Sequence, residues 1–312
     1  MSLPDFSAFP LYLAPMAGVT DPIFRTLCKE EGADVMVTEF VSAEGVLQAW
    51  SRNRRYVEFE DAHRPLGIQI FGSVPEHCAA AARIIVDAMQ PDFLDINAGC
   101  PVPKVVGKNG GSSLLKDLPL LQRMAAAVVQ ELGSDCPVTT KIRIGWEQEH
   151  ICAPEAVRRL EDAGVQAVAI HGRTRSQQYG GKADWEMIDR CARLVSIPVI
   201  GNGDICTLQQ AQHWLTHVSP AGIMIGRGAV RNPYIFRQIR GGPAPPAEEL
   251  QQYYAILAEE TDRILHTKRT PAGHCNRMKK YLAYCYPDFT PEQEYALRRC
   301  TQISDMLRIL CP

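Results

Sequence analysis

Eight short, largely apolar runs, at residues 11–16, 34–39, 66–71, 93–97, 138–143, 167–171, 198–202 and 222–226, recur with starts roughly 20–45 residues apart. They are unbroken rather than alternating, the pattern of parallel strands covered by helices. The stretches between them, 22–31, 75–89, 118–132, 153–163, 185–194 and 207–217, suit helices. Pro22, Pro75 and Pro154 sit where a first helical turn accepts proline, and Gly32 and Gly164 where a left-handed cap is wanted. Repeated strand–helix units of this kind predict an α/β fold, a (β/α)8 TIM barrel over residues 1–240. A doubly wound sheet is the rival architecture. It would place a glycine-rich fingerprint after the first strand, and Ala14-Pro15-Met16-Ala17-Gly18 is not one.

Residues 241–246, GGPAPP, read as a stiff polar linker. Beyond it, 248–264, 277–284 and 291–310 show helical periodicity, so a small C-terminal all-helical domain is expected over 247–312. With 46% of its 312 residues apolar, the chain can bury one large core and a small second one. A net charge of −2 provides no global positive field, so a nucleic-acid partner must be met by a local patch. The eleven cysteines are scattered without paired CxxC spacing, which reads as reduced thiols of a cytoplasmic protein and offers no metal site. The start MSLPDFSAFP does not resemble a signal peptide, and no apolar run approaches the ~18 residues of a membrane span. No protein partner is signalled, and a monomer is expected.

A barrel of this kind builds its active site at the C-terminal ends of its strands. The first four ends carry Ala14-Pro15-Met16-Ala17, Thr38-Glu39-Phe40, Ile68-Gln69-Ile70, and Asn97 with Cys100. The others carry Lys141 and Arg143, His171-Gly172-Arg173, Gly201-Asn202-Gly203-Asp204, and Ile225-Gly226-Arg227-Gly228. Singly, most have a bland reading: Gln69 as a satisfied core amide, His171 as a core histidine, Cys100 as an inert thiol. Lys141 does not, because a lysine within an apolar strand is rare unless paired. The glycine pairs after strands seven and eight fall on the usual phosphate site of the fold, and Arg227 adds a fork for phosphate oxygens.

Gln69, Lys141 and His171 offer an amide and a cation to the edge of a flavin, where a cation favours negative charge on the reduced ring. Pro15, Met16 and Ala17 offer it backbone and an apolar surface. Phosphate site, cation and amide together point to FMN; nothing provides for the adenylate half of FAD. Cys100, on the loop 100–113, then faces the ring across a substrate. With an ordinary thiol pKa of about 8.5 it stays mostly protonated at pH 7 and can deliver a proton beside the carbon that accepts hydride. Asn97 is placed to hold the substrate in register.

These residues together resemble the tRNA-dihydrouridine synthases, most of all the bacterial branch called B. The matching segments are APMAGVTDPIFR (14–25), TEF (38–40), GIQIFG (67–72), DINAGCPVPKV (95–105), TTKIRIGW (139–146), IHGRTR (170–175), IPVIGNGDI (197–205) and MIGRGA (224–229). They span nearly the whole barrel in the family's order; the helical part matches mainly in type. Ala98 and Phe40 stand where methionine is more usual, which bears on pocket shape and removes no reacting group. The resemblance implies an FMN-dependent, NADPH-driven oxidoreductase that reduces the C5–C6 bond of D-loop uridine in tRNA, with hydride from reduced FMN to C6 and a proton from Cys100 to C5. By position it assigns Pro15, Met16, Ala17, Gln69, Lys141, His171, Asn202, Gly203, Asp204, Gly226 and Arg227 to the flavin pocket, and Asn97 to the target base. Branch likeness suggests tRNA position 17.

A base inside folded RNA must be swung out of its stack to reach a flavin, which calls for positive surface around the mouth. Arg143, Arg173 and Arg175 follow strands five and six and are candidates to grip phosphates. Residues 263–280 carry six Lys or Arg, among them Arg277, Lys279 and Lys280, with two His and no acid, whereas 248–262 is acidic without a base. The bland alternative is a solvated helix face. Tyr281, Tyr284 and Tyr286 pack the bundle or stack bases, Trp146 lines the mouth, and Glu39 is left without a role. Two other readings stay open: a flavin barrel acting on a small pyrimidine, of the dihydroorotate dehydrogenase kind, and a tRNA-binding protein with a structural flavin.

Overall fold

Nine parallel strands form one sheet whose ends meet: β1 (Leu11–Leu13), β2 (Val35–Val37), β3 (Val41–Ser42), β4 (Leu66–Phe71), β5 (Phe93–Ala98), β6 (Val138–Gly145), β7 (Ala167–Thr174), β8 (Val199–Asn202) and β9 (Gly222–Ile225). The computed structural model describes residues 1–217, 219–265, 271–285 and 289–310. β1 pairs with β2 and β9, and β2 pairs with β4, which closes a (β/α)8 TIM barrel. The expected second strand is split into β2 and β3. Between them the Thr38 hydroxyl accepts the Gln69 N–H at 3.2 Å and donates to the Glu39 carbonyl at 2.8 Å. The Thr38 N–H still donates to the Gly67 carbonyl at 3.0 Å, but its side chain takes the next ladder position, and residues 38–40 leave the strand.

Helices Pro22–Glu30, Pro75–Met89, Leu118–Leu132, Ala153–Asp162, Trp185–Ala192 and Leu208–His217 lie where the sequence places them. Asp21, Asp117 and Asp184 accept a backbone N–H at three of their starts. Helix Ala43–Asn53 is an addition, kinked at Ala49, whose φ and ψ are non-helical.

Inside the barrel, side chains obey a period of two. Tyr12, Val35, Phe93, Ala167, Ile200 and Met224 belong to the inner apolar cluster, with Leu3 and Phe6 packed against it. Gly67 is required there, because a Cβ would sit 2.1 Å from the Phe93 ring. Further along the strands the interior turns polar, first at Gln69, Asp95 and Thr139, then at Asn97, Lys141, His171 and Asn202. The open C-terminal end is therefore the polar one.

After residues 241–246 the chain is helical: Ala247–Leu265, Pro271–Cys285, Pro291–Arg299 and Ile303–Leu310. The helix expected at 277–284 starts six residues earlier, and the one expected over 291–310 breaks at Cys300, whose backbone is extended. Residues 266–270 of the basic run, and Tyr286, lie outside the described residues. Leu257, Met278, Tyr281 and Leu282 share one apolar cluster with Phe24 and Cys28 of the barrel. A polar clamp accompanies it: Asp21 accepts the Tyr281 hydroxyl at 2.7 Å and pairs with Arg277. No helix among the described residues is long and apolar enough to cross a membrane.

His63 illustrates how burial sets charge. It is fully enclosed; its Nδ1 accepts the Glu60 N–H at 3.2 Å and its Nε2 meets Thr26 Oγ1 at 2.8 Å. Burial, reinforced by Arg25 and Lys29, pushes the imidazole down to about 4. Below the unfolded pKa of about 6.5 the native state then binds fewer protons than the unfolded chain, so stability falls as pH falls. Roughly 2 kcal/mol should be lost between pH 7 and pH 5 through this residue. Denaturant melts at both pH values should show a smaller loss in His63→Gln; an equal loss in both proteins refutes the assignment.

Candidate active site

The polar end of the barrel opens into a cavity ringed by strand termini. β1 contributes Pro15, Met16 and Ala17, and β5 contributes Asn97 and Cys100. β6 and β7 contribute Lys141, Arg143 and His171. The turns after β8 and β9 contribute Asn202, Gly203, Asp204, Gly226 and Arg227. Thirteen of the residues singled out in the sequence thus share one chamber.

Cys100 is fixed by its backbone. Its N–H donates to Asn97 Oδ1 at 2.9 Å, and its carbonyl accepts Ser112 N–H at 3.0 Å and Ser112 Oγ at 2.9 Å. Gly111, with φ +58°, makes the return possible: a Cβ there would lie 2.8 Å from the Cys100 carbonyl oxygen. Burial pushes the thiol pKa up, against the weaker pull of the Val102 N–H, Arg143 and Lys141, so the sulfur stays protonated at neutral pH.

Lys141 Nζ donates to Asn202 Oδ1 at 3.1 Å, and Asn202 in turn donates to the Met224 carbonyl at 2.7 Å. Burial, then the neighbouring Arg143, lowers the Lys141 pKa to about 8, which leaves it charged at pH 7. His171 is driven well below its usual value by burial and then by Lys141 and three arginines, so it is a neutral ring. Asp204 sits in the left-handed region at φ +55° and pairs with Arg173 at 2.8 Å and Arg227 at 3.2 Å. Among the described residues, Lys141, Arg143, Arg173 and Arg227 face two carboxylates, Asp95 and Asp204, so positive charge is in excess around the chamber.

Several expectations need correcting. Gln69 does not line the cavity; it is fully enclosed one layer below, with Nε2 on Asp95 Oδ2 at 2.6 Å and Oε1 on Asn97 Nδ2 at 2.7 Å. Arg143 and Arg173 are 2% exposed and are committed to backbone carbonyls. Arg143 donates to the carbonyls of Gly99, Thr174 and Gln178, and Arg173 to those of Gly180 and Gly181. Arg175 lies 4.6 Å above the Trp146 ring, and neither residue lines the chamber. Arg277 is held by Asp21. Lys280 rests against Gly18, where a Cβ would come 2.9 Å from its Nζ, and beside half-buried Glu39, which accepts the Gly18 N–H at 2.6 Å. Glu39 thus anchors the β1 turn. Only Lys279 of the three remains without such a partner among the described residues.

Tyr179 and Asp95 were not singled out in the sequence. Tyr179, 49% exposed, projects over the chamber with Arg227 4.6 Å and Arg143 5.8 Å from its ring. A single aromatic in the polar loop 175–184 was its only signal. Tyr284, from the helical part, also lines the chamber.

The donor set fits a flavin phosphate and ring. Arg227 lines the chamber beside the glycine turn, with Nη2 held by Asp204 at 3.2 Å. Gly226 leaves bare backbone beside Met16 and Ala14, where a Cβ would touch Met16 Sδ at 3.4 Å. A closed parallel barrel with a cation-rich rim at the C-terminal ends of its strands is the (β/α)8 TIM-barrel enzyme architecture. The fold agrees with solved structures of that architecture. Histamine dehydrogenase from Rhizobium aligns over 74% of this chain and 45% of its own at 14% identity and TM-score 0.56. An old yellow enzyme homologue from Zymomonas mobilis aligns over 76% and 90% at 16% identity and TM-score 0.52.

The chain belongs to the dihydrouridine synthase (Dus) family, whose model matches residues 12–309. tRNA-dihydrouridine synthase B of Pseudomonas putida is 41% identical over 80% of this chain and 74% of its own length. The synthase B of Klebsiella pneumoniae is 38% identical over 91% and 89%. A probable tRNA-dihydrouridine synthase of Aquifex aeolicus is 38% identical over 88% and 84%.

Proposed function

We propose that the protein is an FMN-dependent, NADPH-driven tRNA-dihydrouridine synthase that saturates a D-loop uridine, position 17 by branch likeness. The observation that carries this reading is a backbone-fixed Cys100 in the same chamber as Lys141 and the two glycine turns, with burial favouring its protonated form. When bound, the flavin supplies hydride to C6 of the uracil. Cys100 holds the proton destined for C5. Lys141 supplies positive charge near the ring edge, and neutral His171 can donate or accept one hydrogen bond without adding charge. Gly226, Arg227 and the Asn202–Asp204 turn would hold the phosphate. Tyr179, amphipathic and half in solvent, is placed to meet a flipped base by stacking.

The small-pyrimidine reading is less favoured, because Tyr284 of the helical part closes one side of the chamber, a wall a free pyrimidine does not need. The protein is read as a cytoplasmic monomer acting on tRNA. The test is mapping of dihydrouridine in tRNA from cells lacking the protein, together with identification of the flavin released from purified material. Unchanged dihydrouridine, or colourless protein that takes up no FMN, sinks the proposal.

Among the basic residues of the helical part, Lys279 is the one to test. Lys279→Glu should weaken tRNA binding and lower the slope of log K against log salt by roughly 1–2. Titrations at several salt concentrations that give the parent slope remove Lys279 from the RNA surface.

A further inference from the structure

A directed chain of hydrogen bonds runs from the barrel interior to Cys100. Asp95 is 4% exposed, and donors face both its oxygens: Thr139 Oγ1 on Oδ1 and Gln69 Nε2 on Oδ2, each at 2.6 Å. The Gln69 amide must therefore turn its oxygen to Asn97, whose Nδ2 donates at 2.7 Å. Asn97 must then turn its own oxygen upward, where it accepts the N–H of Gly99 at 3.1 Å and of Cys100 at 2.9 Å. An amide by itself can point either way; an ionised carboxylate only accepts. One acceptor-only group at the base thus fixes the orientation of two amides above it.

We propose that Asp95 is a positioning residue for Cys100, acting through Gln69 and Asn97 to lock the thiol-bearing turn. Asp95 does not line the chamber, so it touches neither substrate nor cofactor. Its second relation is to Lys141, whose charge it faces within the same dry interior. Burial raises the Asp95 pKa, while Gln69, Thr139 and Lys141 oppose that rise. The register of the sheet sets the arrangement: Gln69 pairs with Asp95 across β4 and β5, and Asp95 with Thr139 across β5 and β6. The same D-x-N spacing puts Asp95 and Asn97 on one face of β5.

The test reads the thiol directly. Iodoacetamide labelling of the holoenzyme is followed by peptide mass spectrometry at Cys100, with partly exposed Cys300 as internal reference. Asp95→Leu, Gln69→Met and Asn97→Ala should each raise Cys100 labelling about fivefold, the yield of one lost hydrogen bond, and leave Cys300 unchanged. The pair Asp95→Leu/Asn97→Ala should label no faster than Asn97→Ala alone, since both cut one chain. Turnover rests on the reading of Cys100 as proton donor: Asp95→Leu and Gln69→Met should lower kcat with KM for tRNA unchanged. The labelling arm does not depend on that reading, so the two can fail separately. Gln69→Met, nearly the same shape without the amide, decides the matter should Asp95→Leu not fold. Cys100 labelling within roughly twofold of the parent in Gln69→Met, or effects that multiply in the double variant, overturns the proposal.

Discussion

Cys100→Ala should retain flavin and tRNA affinity while losing dihydrouridine formation by about 10²–10⁴-fold, the usual contribution of a positioned general acid. Two features make the effect large. The sulfur shares the chamber with Lys141 and the two glycine turns, and its backbone is pinned on both sides by Asn97 and Ser112. Burial raises its pKa, so the protonated form that the proposed role requires is the one favoured in the neutral range. The pH profile carries a second mark. Lys141, lowered to about 8, loses its charge as pH rises through that value, so turnover should decline there in the parent enzyme. Single-turnover assays of Cys100→Ala across pH 6–9 provide the check; a variant with parental rates removes the thiol from the chemistry.

Gly228→Ala should produce protein that is folded but purifies with little flavin. A Cβ at Gly228 would lie 2.1 Å from the Ile205 carbonyl oxygen and 2.9 Å from Cys206 Cα. Both contacts are backbone, which cannot swing aside like a side chain, so the turns after β8 and β9 must part. Overpacking of this kind costs about 1–3 kcal/mol. Expressed in the turns that would hold the phosphate, that corresponds to roughly 10–100-fold weaker cofactor binding. Gly180→Ala is the control, because its added methyl would meet only the Gln177 carbonyl at 3.4 Å. Absorbance near the flavin band per mole of protein reads the result; equal yellow colour in the two variants contradicts the steric argument.

Much of the architecture is legible in the sequence because it depends on local period. Unbroken apolar runs gave eight staves, and the rim residues followed from reading where each run ends. What escaped depends on partners far away in the chain. The β2–β3 interruption requires the Thr38 hydroxyl to meet Gln69, 31 residues on. Gln69 looked like a cavity amide because its partner Asp95 becomes its neighbour only through the β4–β5 register. Arg277 looked like an RNA contact because Asp21, more than 250 residues earlier, carries no sign that it receives a cation. Arg143 and Arg173 misled for another reason: carbonyls are present in every sequence, and nothing marks the ones a guanidinium will hold. Tyr179 is a lone ring in a polar loop, without period or partner to announce it.

The Asp21 clamp has a consequence for anyone exchanging parts between relatives. Asp21 is 6% exposed, starts the first barrel helix, and is matched from the far end of the chain by Tyr281 and Arg277. A grafted helical segment lacking those two groups would strand a negative charge in a nearly dry seam, a few residues from the turn bearing Met16. Chimaeras built to redirect the modified nucleotide must therefore carry these three positions as one unit, or their altered selectivity will be confounded with a disturbed cofactor cradle.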